Sequence, residues 1–291
     1  MIQLNSPLYT IGPGTSTEWN GNALDDTGCS WIVTAEAGWS SSPPARPSQA
    51  DKTIGDGTFS GPGFYAGRLV TLTGTCVAPN QTAMLWAKEA IKAAFGPWDL
   101  VTLQVDELHL SRVAQVTLND DVQIQDKTTV VFTWQMGLFA ADPRRYLVTP
   151  TTLTAELPAT APGVGRSYPR SYPRTYAAGG TGAQVTFTQA GNYKLTPAVI
   201  TIAGPVTSPT VEHDRSGSHI TLDMTIPAGE SVVLDLAAET ALLGGSSVAE
   251  YMTSDSAWFL LERGANVVRF RGSPGAGSTP VMTMVASSAW V

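Results

Sequence analysis

Charge is scarce in this 291-residue chain. Asp, Glu, Lys and Arg make up only 14% of it, and the balance is acidic, with a formal net charge of −7. A general nucleic-acid binder carries a basic face, so the composition argues against that class. No apolar run reaches the ~18 residues that a membrane-spanning helix needs. The first residues, Met1 to Pro7, lack the charged start and apolar centre of a secretory leader. Only two cysteines occur, Cys29 and Cys76, too few for a disulfide framework at this length. Each lies in an apolar strand pattern, which predicts buried free thiols. The chain therefore reads as soluble, made in the cytosol and assembled without oxidation.

Histidine is equally sparse. His109 and His219 fall on alternating patterns, and His213 sits in Glu212-His213-Asp214-Arg215, which reads as a surface turn. None has a Cys, His or carboxylate at metal-ligand spacing. Phosphate-cradling and nucleophile-elbow motifs are also missing from the sequence. Asp25-Asp26 and Asp120-Asp121 are flanked by Thr, Gly or Asn, so turn capping explains them better than glycosidase chemistry. No catalytic residue, metal site or cofactor is expected.

Turn formers, by contrast, are plentiful: 28 glycines and 20 prolines. With abundant Thr and Val they indicate β structure, and the length suggests about two domains. In the first half, residues 31–35 read as an early strand. A long irregular stretch follows, from Trp39 to Gly63, and loops of that length are usually functional. Residues 68–77 form a strong strand, with Val70, Leu72 and Cys76 on one face and Thr71, Thr73 and Thr75 on the other. Gly74, on the apolar face, predicts a bulge or a close backbone approach. The helix is the clearest local signal. Asn80 or Thr82 caps it, and Met84, Ala87, Ile91, Ala94 and Phe95 recur at helical spacing. Gly96-Pro97 should end it, with Gly96 as a left-handed cap. That apolar stripe must lie on a sheet. Further strands follow at 99–105, 108–118 and 127–139.

A seam then interrupts the pattern. Arg166-Ser167-Tyr168-Pro169 repeats as Arg170-Ser171-Tyr172-Pro173 and Arg174-Thr175-Tyr176. Proline fixes φ and offers no donor, so the run is neither helix nor central strand. It reads as an extended linker whose tyrosines and arginines pack on protein surface. The expected division is 1–148, a linker at 149–182, and 183–291. Beyond the seam only strands appear, at 185–188, 198–203, 219–226, 231–236, 257–261, 266–271 and 281–286. Their spacing is that of a β-sandwich. Residues 227–230 and 263–266 read as hairpin turns. Among the eight tryptophans, Trp134 and Trp258 alternate with core positions, while Trp19, Trp39 and Trp290 lie in or near loops. The last three are the candidates for a sugar-stacking platform.

The order of these features resembles the distal tail proteins of long non-contractile-tailed bacteriophages. The resemblance rests on the glycine loop and arginine-led strand from Asp56 to Gly74, on the helix, and on Leu138-Phe139-Ala140-Ala141-Asp142-Pro143-Arg144-Arg145-Tyr146. Pro197 to Pro205, Ile226 to Val232 and Trp258 to Asn266 extend it through the second half. The Arg-Ser-Tyr-Pro repeat departs from it. The resemblance implies a mainly β fold: an N-terminal split-barrel-like domain with one helix, then a C-terminal galectin-like β-sandwich. It implies a structural virion protein and not an enzyme, assembled in the host cytoplasm as a homo-hexamer at the tail tip. The ring would join the tail tube protein to the central tip protein and hold receptor-binding proteins. Genomic DNA would pass through its lumen unread, and no membrane would be bound. Candidate interface residues are Trp39, Arg46, Phe64, Tyr65 and Arg68 around the long loop, with Tyr168, Tyr172, Tyr176, Arg170 and Arg174 in the seam. The rival reading is a carbohydrate-binding β-sandwich adhesin of the tail or cell surface.

Overall fold

Two hydrophobic cores organise the chain. One belongs to Met1–Val148 together with Trp290–Val291, the other to Thr149–Ala289. The structure is a computed structural model, and it describes residues 2–3, 7–96, 99–158 and 183–291.

In the first unit, antiparallel strands follow one another across a single curled sheet. From Ser30–Ala37 the order runs through Arg68–Val77, Val131–Ala140, Ser111–Leu118, Val101–Asp106 and Leu8–Ile11 to Trp19–Gly21. The sheet curls until its ends meet, with the rings of Trp19 and Trp31 edge-on at 5.4 Å. Trp134 joins them from the middle of the sheet, 5.0 Å from Trp19. Edge-to-face aromatic packing of this kind adds about 0.5–1.5 kcal/mol per pair beyond the area buried.

Alternation decides which faces go inward. Val70, Leu72 and Cys76 are buried and Thr71, Thr73 and Thr75 only partly so, as the sequence requires. At Gly74 the register with the Ser30–Ala37 strand slips. A Cβ there would lie 2.3 Å from both the Ile32 carbonyl oxygen and the Trp134 ring, so only glycine fits. Both cysteines are free and buried, and burial pushes both thiols up.

The helix spans Gln81–Ala93. Asn80 caps it by accepting the Ala83 amide at 2.8 Å. Ala83, Met84, Ala87 and Ile91 enter the core. Its end differs from expectation: Ala94 closes the helix in a right-handed conformation, and Gly96 keeps a negative φ. The Phe95 amide reaches back to Lys92, which satisfies a terminal carbonyl without a left-handed residue. No helix among the described residues is long and apolar enough to cross a membrane.

The second unit stacks two antiparallel sheets. One runs Thr151–Glu156, Val281–Ala286, Ala198–Ala203, Ser231–Asp235, Thr240–Leu243. The other runs Gln184–Gln189, Gly264–Pro274, Val206–His213, His219–Thr221. Ile200, Leu234 and Met284 of the first belong to one core with Phe187, Val211 and Phe270 of the second.

Several sequence expectations fail here for physical reasons. Thr151–Glu156, assigned to the linker on composition, pairs along its whole length with Val281–Ala286. The supposed strand 219–226 is two short ones, interrupted where Leu222 bridges to Met252. Residues 227–230 do not turn a hairpin: Thr225–Ile226 pairs in one sheet and Ser231–Asp235 in the other, so the turn crosses the core. Of 257–261 only Leu261 is strand, and the short strand Leu261–Glu262 pairs with Leu195–Thr196 rather than across residues 263–266. The longest omission is Val206–His213. Pro209 sits inside it, tolerated because the register slips between Thr207 and Thr210 and Ser208 takes φ 47°.

Candidate assembly interface

The stretch read as an irregular loop is a β-arm. Ala45–Arg46 pairs with Phe64–Tyr65, and Gln49–Asp51 with Thr58–Ser60. Further rungs close it, Gly61 N–H to the Ser48 carbonyl at 2.7 Å and Ala66 N–H to the Pro44 carbonyl at 2.8 Å. Every residue from 44 to 65 is exposed. An isolated two-stranded hairpin is marginal in water, yet this one displays Ile54, Phe59, Phe64 and Tyr65. Cations cover part of two rings: Arg46 lies 6.0 Å from Phe64 and Lys52 6.0 Å from Phe59.

The root of the arm is the reverse, built on two buried arginines. Arg68 is 1% exposed and Arg145 4%. Arg68 Nη1 donates to the carbonyls of Gly38, Trp39 (3.0 Å) and Ser41 (2.7 Å), and its Nε to that of Pro143 (3.1 Å). Arg145 donates to the same Trp39 carbonyl at 2.7 Å and to Val291 at 2.8 Å, and its guanidinium lies over the Trp39 ring. From the opposite side the Glu36 carboxylate accepts the amides of Trp39 (2.6 Å) and Ser40 (3.3 Å). Burial and the Arg112 and Arg68 charges pull Arg145 down to about 10, with Glu107 and Glu36 opposing. Burial, then Arg112, lowers Arg68 as well, against Glu36. Arg112 itself is held by Glu107 at 2.5 Å.

Beyond the arm, the helix turns Leu85 and Trp86 to solvent, the latter 68% exposed. Sequence reading missed both, although the helix holds more large apolar residues than its buried stripe can use. The sheet itself offers a second unusual surface. On its outer face Leu69, Thr71, Thr73, Thr75 and Val77 lie opposite Phe139, Gly137, Gln135, Thr133 and Val131. Gln123 and Gln125 flank them on one side, Ala35 and Ala37 on the other, all uncharged, with the Lys127 ammonium at the rim donating to Gln125 at 2.7 Å. In the second unit the exposed large apolar residues described are Val199 and Tyr251; the rest lie in the first. Ion pairs occur in both units, Lys88–Asp126 and Lys92–Glu89 in the first, Arg269–Asp214 at 2.6 Å and Arg271–Glu212 at 2.7 Å in the second.

The predicted interface residues thus divide. Arg46, Phe64 and Tyr65 come together on the arm. Trp39 and Arg68 are buried at its root and cannot contact a partner directly, because the arm needs their polar groups internally. Tyr168, Tyr172, Tyr176, Arg170 and Arg174 lie outside the described residues. Of the loop tryptophans, Trp19 and Trp39 are core residues and Trp290 is half-buried. His213 is no surface residue either. It is fully buried, stacked on Phe259 at 5.3 Å, and held between Ser216 (2.9 Å) and Asn266 (3.1 Å). Among the described residues no group of His, Cys, Asp or Glu is placed to hold a metal.

Comparison with known proteins places this architecture. Residues 190–284 match the family described as siphovirus-type tail component, C-terminal domain. The match falls wholly within the second unit. The chain also superposes on the Dit protein of phage SPP1, described as a paradigm of the hub adsorption apparatus in phages infecting Gram-positive bacteria. The TM-score is 0.60 at 11% identity, over 88% of this chain and 93% of that one. A chain of the phage p2 baseplate in its activated conformation superposes with a TM-score of 0.52 at 11% identity, over 96% and 98%. The chain therefore shares the fold of these proteins over most of its length. No curated protein matches it in sequence.

Proposed function

We propose that this protein is a structural component of a phage tail tip, assembling through its first unit into a closed ring of six. The ring joins the tail tube protein to the central tip protein and anchors host-recognition proteins. The observation that carries the reading is the placement of exposed apolar side chains: of the large ones among the described residues all but Val199 and Tyr251 lie in the first unit, and arm and helix hold six of them. Patches of this kind on soluble proteins are contact surfaces. Arm and helix are different surfaces, so a contact using both is heterologous and must close into a ring or grow a filament. The number six comes from the resemblance to distal tail proteins. The largely uncharged outer sheet, with Lys127 as the cation at its rim, suits the wall of a channel that DNA crosses, since it offers phosphates little to bind.

The test is a negative-stain image and a solution mass of the full chain, beside a variant with residues 45–65 replaced by a short Gly-Ser turn. Six-membered rings lost in the variant are expected. Rings of another number, or rings that persist without the arm, would refute the reading.

A further inference from the structure

We infer that Arg68 and Arg145 are positioning residues that aim the arm, so that it leaves the first unit in one fixed direction before any partner is met. The inference rests on the arm being the assembly surface, but it concerns the isolated chain and is tested there.

Residues 44–65 are exposed throughout and have no core of their own, so their direction is set only where the arm leaves the sheet. There the incoming segment, residues 38–41, is held by both its carbonyls and its amides. Arg68 takes three of its carbonyls, Arg145 shares the carbonyl of Trp39, and Glu36 takes two of its amides. The outgoing strand begins at Arg68 itself, so one side chain ties the two ends of the arm together. Gly38 brings them into contact: at φ +92° a Cβ would lie 1.8 Å from the Leu69 carbonyl oxygen. A guanidinium suits this task because its donors lie in one rigid plane and reach several acceptors at once, which an ammonium cannot do.

Stability alone does not account for the arrangement. Arg68 Nη2 and Arg145 Nε are buried without a hydrogen-bond partner, and two like charges sit near each other in the interior. Replacing buried charge by well-packed apolar residues is often neutral or stabilising. What these guanidinium groups supply, and apolar residues could not, is a fixed exit angle.

Spin labels on Thr58→Cys and Asp121→Cys in the full chain report that angle, since Cys29 and Cys76 are buried and escape labelling. Labelled protein is diluted in unlabelled protein so that only distances within one chain are read. The expected result is a single narrow distance distribution in the otherwise native chain. In Arg68→Lys or Arg145→Lys it should broaden at least twofold, with far-UV circular dichroism unchanged. Deuterium exchange should show the Trp39 and Ser40 amides protected in the parent and at least tenfold faster in whichever variant folds. A broad distribution in the parent would overturn the inference even if rings form. A narrow one that both variants preserve, with unchanged exchange, would overturn it too. A narrow, arginine-dependent distribution in a chain that forms no ring would sustain it and refute the ring instead.

Discussion

Single residues set the limits of the first unit. Tyr9 is 3% exposed, and burial, helped by Glu36 and Glu107, raises its hydroxyl from 10.0 to about 12. A raised folded pKa means that the contribution is complete below pH 10 and is lost as pH climbs towards 12. The loss is about 2–3 kcal/mol. Urea denaturation at pH 9 and 11.5 should show it in the parent and a smaller drop in Tyr9→Phe; equal drops would exclude Tyr9 as the source. Gly74 sets a steric limit. Gly74→Ala should lower stability by about 1–3 kcal/mol as the new methyl meets Trp134 and the Ile32 carbonyl. An unchanged melting temperature would mean that the bulge relaxes freely. The bulge was legible in the sequence because a glycine interrupts an otherwise apolar face. The burial of Arg68, Trp39 and His213 was not, since each is fixed by partners distant in sequence, as His213 is by Asn266.

Among elements, the helix and the Arg68–Val77 strand were readable because each buries one face, which leaves a period in the sequence. Ile91 lies fully inside on the helix stripe. Ile91→Asp should therefore cost roughly 3–5 kcal/mol, visible as a large fall in the melting temperature; a small fall would mean that the helix shifts to release the charge. The arm left no such period. All its residues face solvent, so nothing alternates, and its glycines and prolines read as loop. Val206–His213 was hidden for the opposite reason: its pattern is good, but Pro209 and the slipped register break it in the middle. Hairpin logic failed at residues 227–230 because local sequence cannot reveal whether a turn joins neighbours or crosses between layers.

At the scale of the whole molecule, the two units differ in what they show to solvent. Ion pairs occur in both, but exposed large apolar side chains and a run of uncharged residues on one sheet face mark the first. Contacts made by such surfaces owe little to ionic attraction, and salt screens only the latter. Assembly should therefore survive an increase from about 0.1 M to about 1 M salt, followed by sedimentation velocity. Dissociation at the higher concentration would mean that ion pairs, not the apolar arm and helix, hold the copies together.

Trp290–Val291 belongs to the first unit although the second is made in between. On a ribosome this is a delay. At ~5–20 residues per second, the roughly 140 residues after Val148 take about 7–28 s to appear. For that interval Arg145 lacks the Val291 carbonyl, one of its two bonded acceptors. Neighbouring nascent chains on one message would then carry arms not yet fully fastened at the root, and the fastening would come only after the second unit has been synthesised.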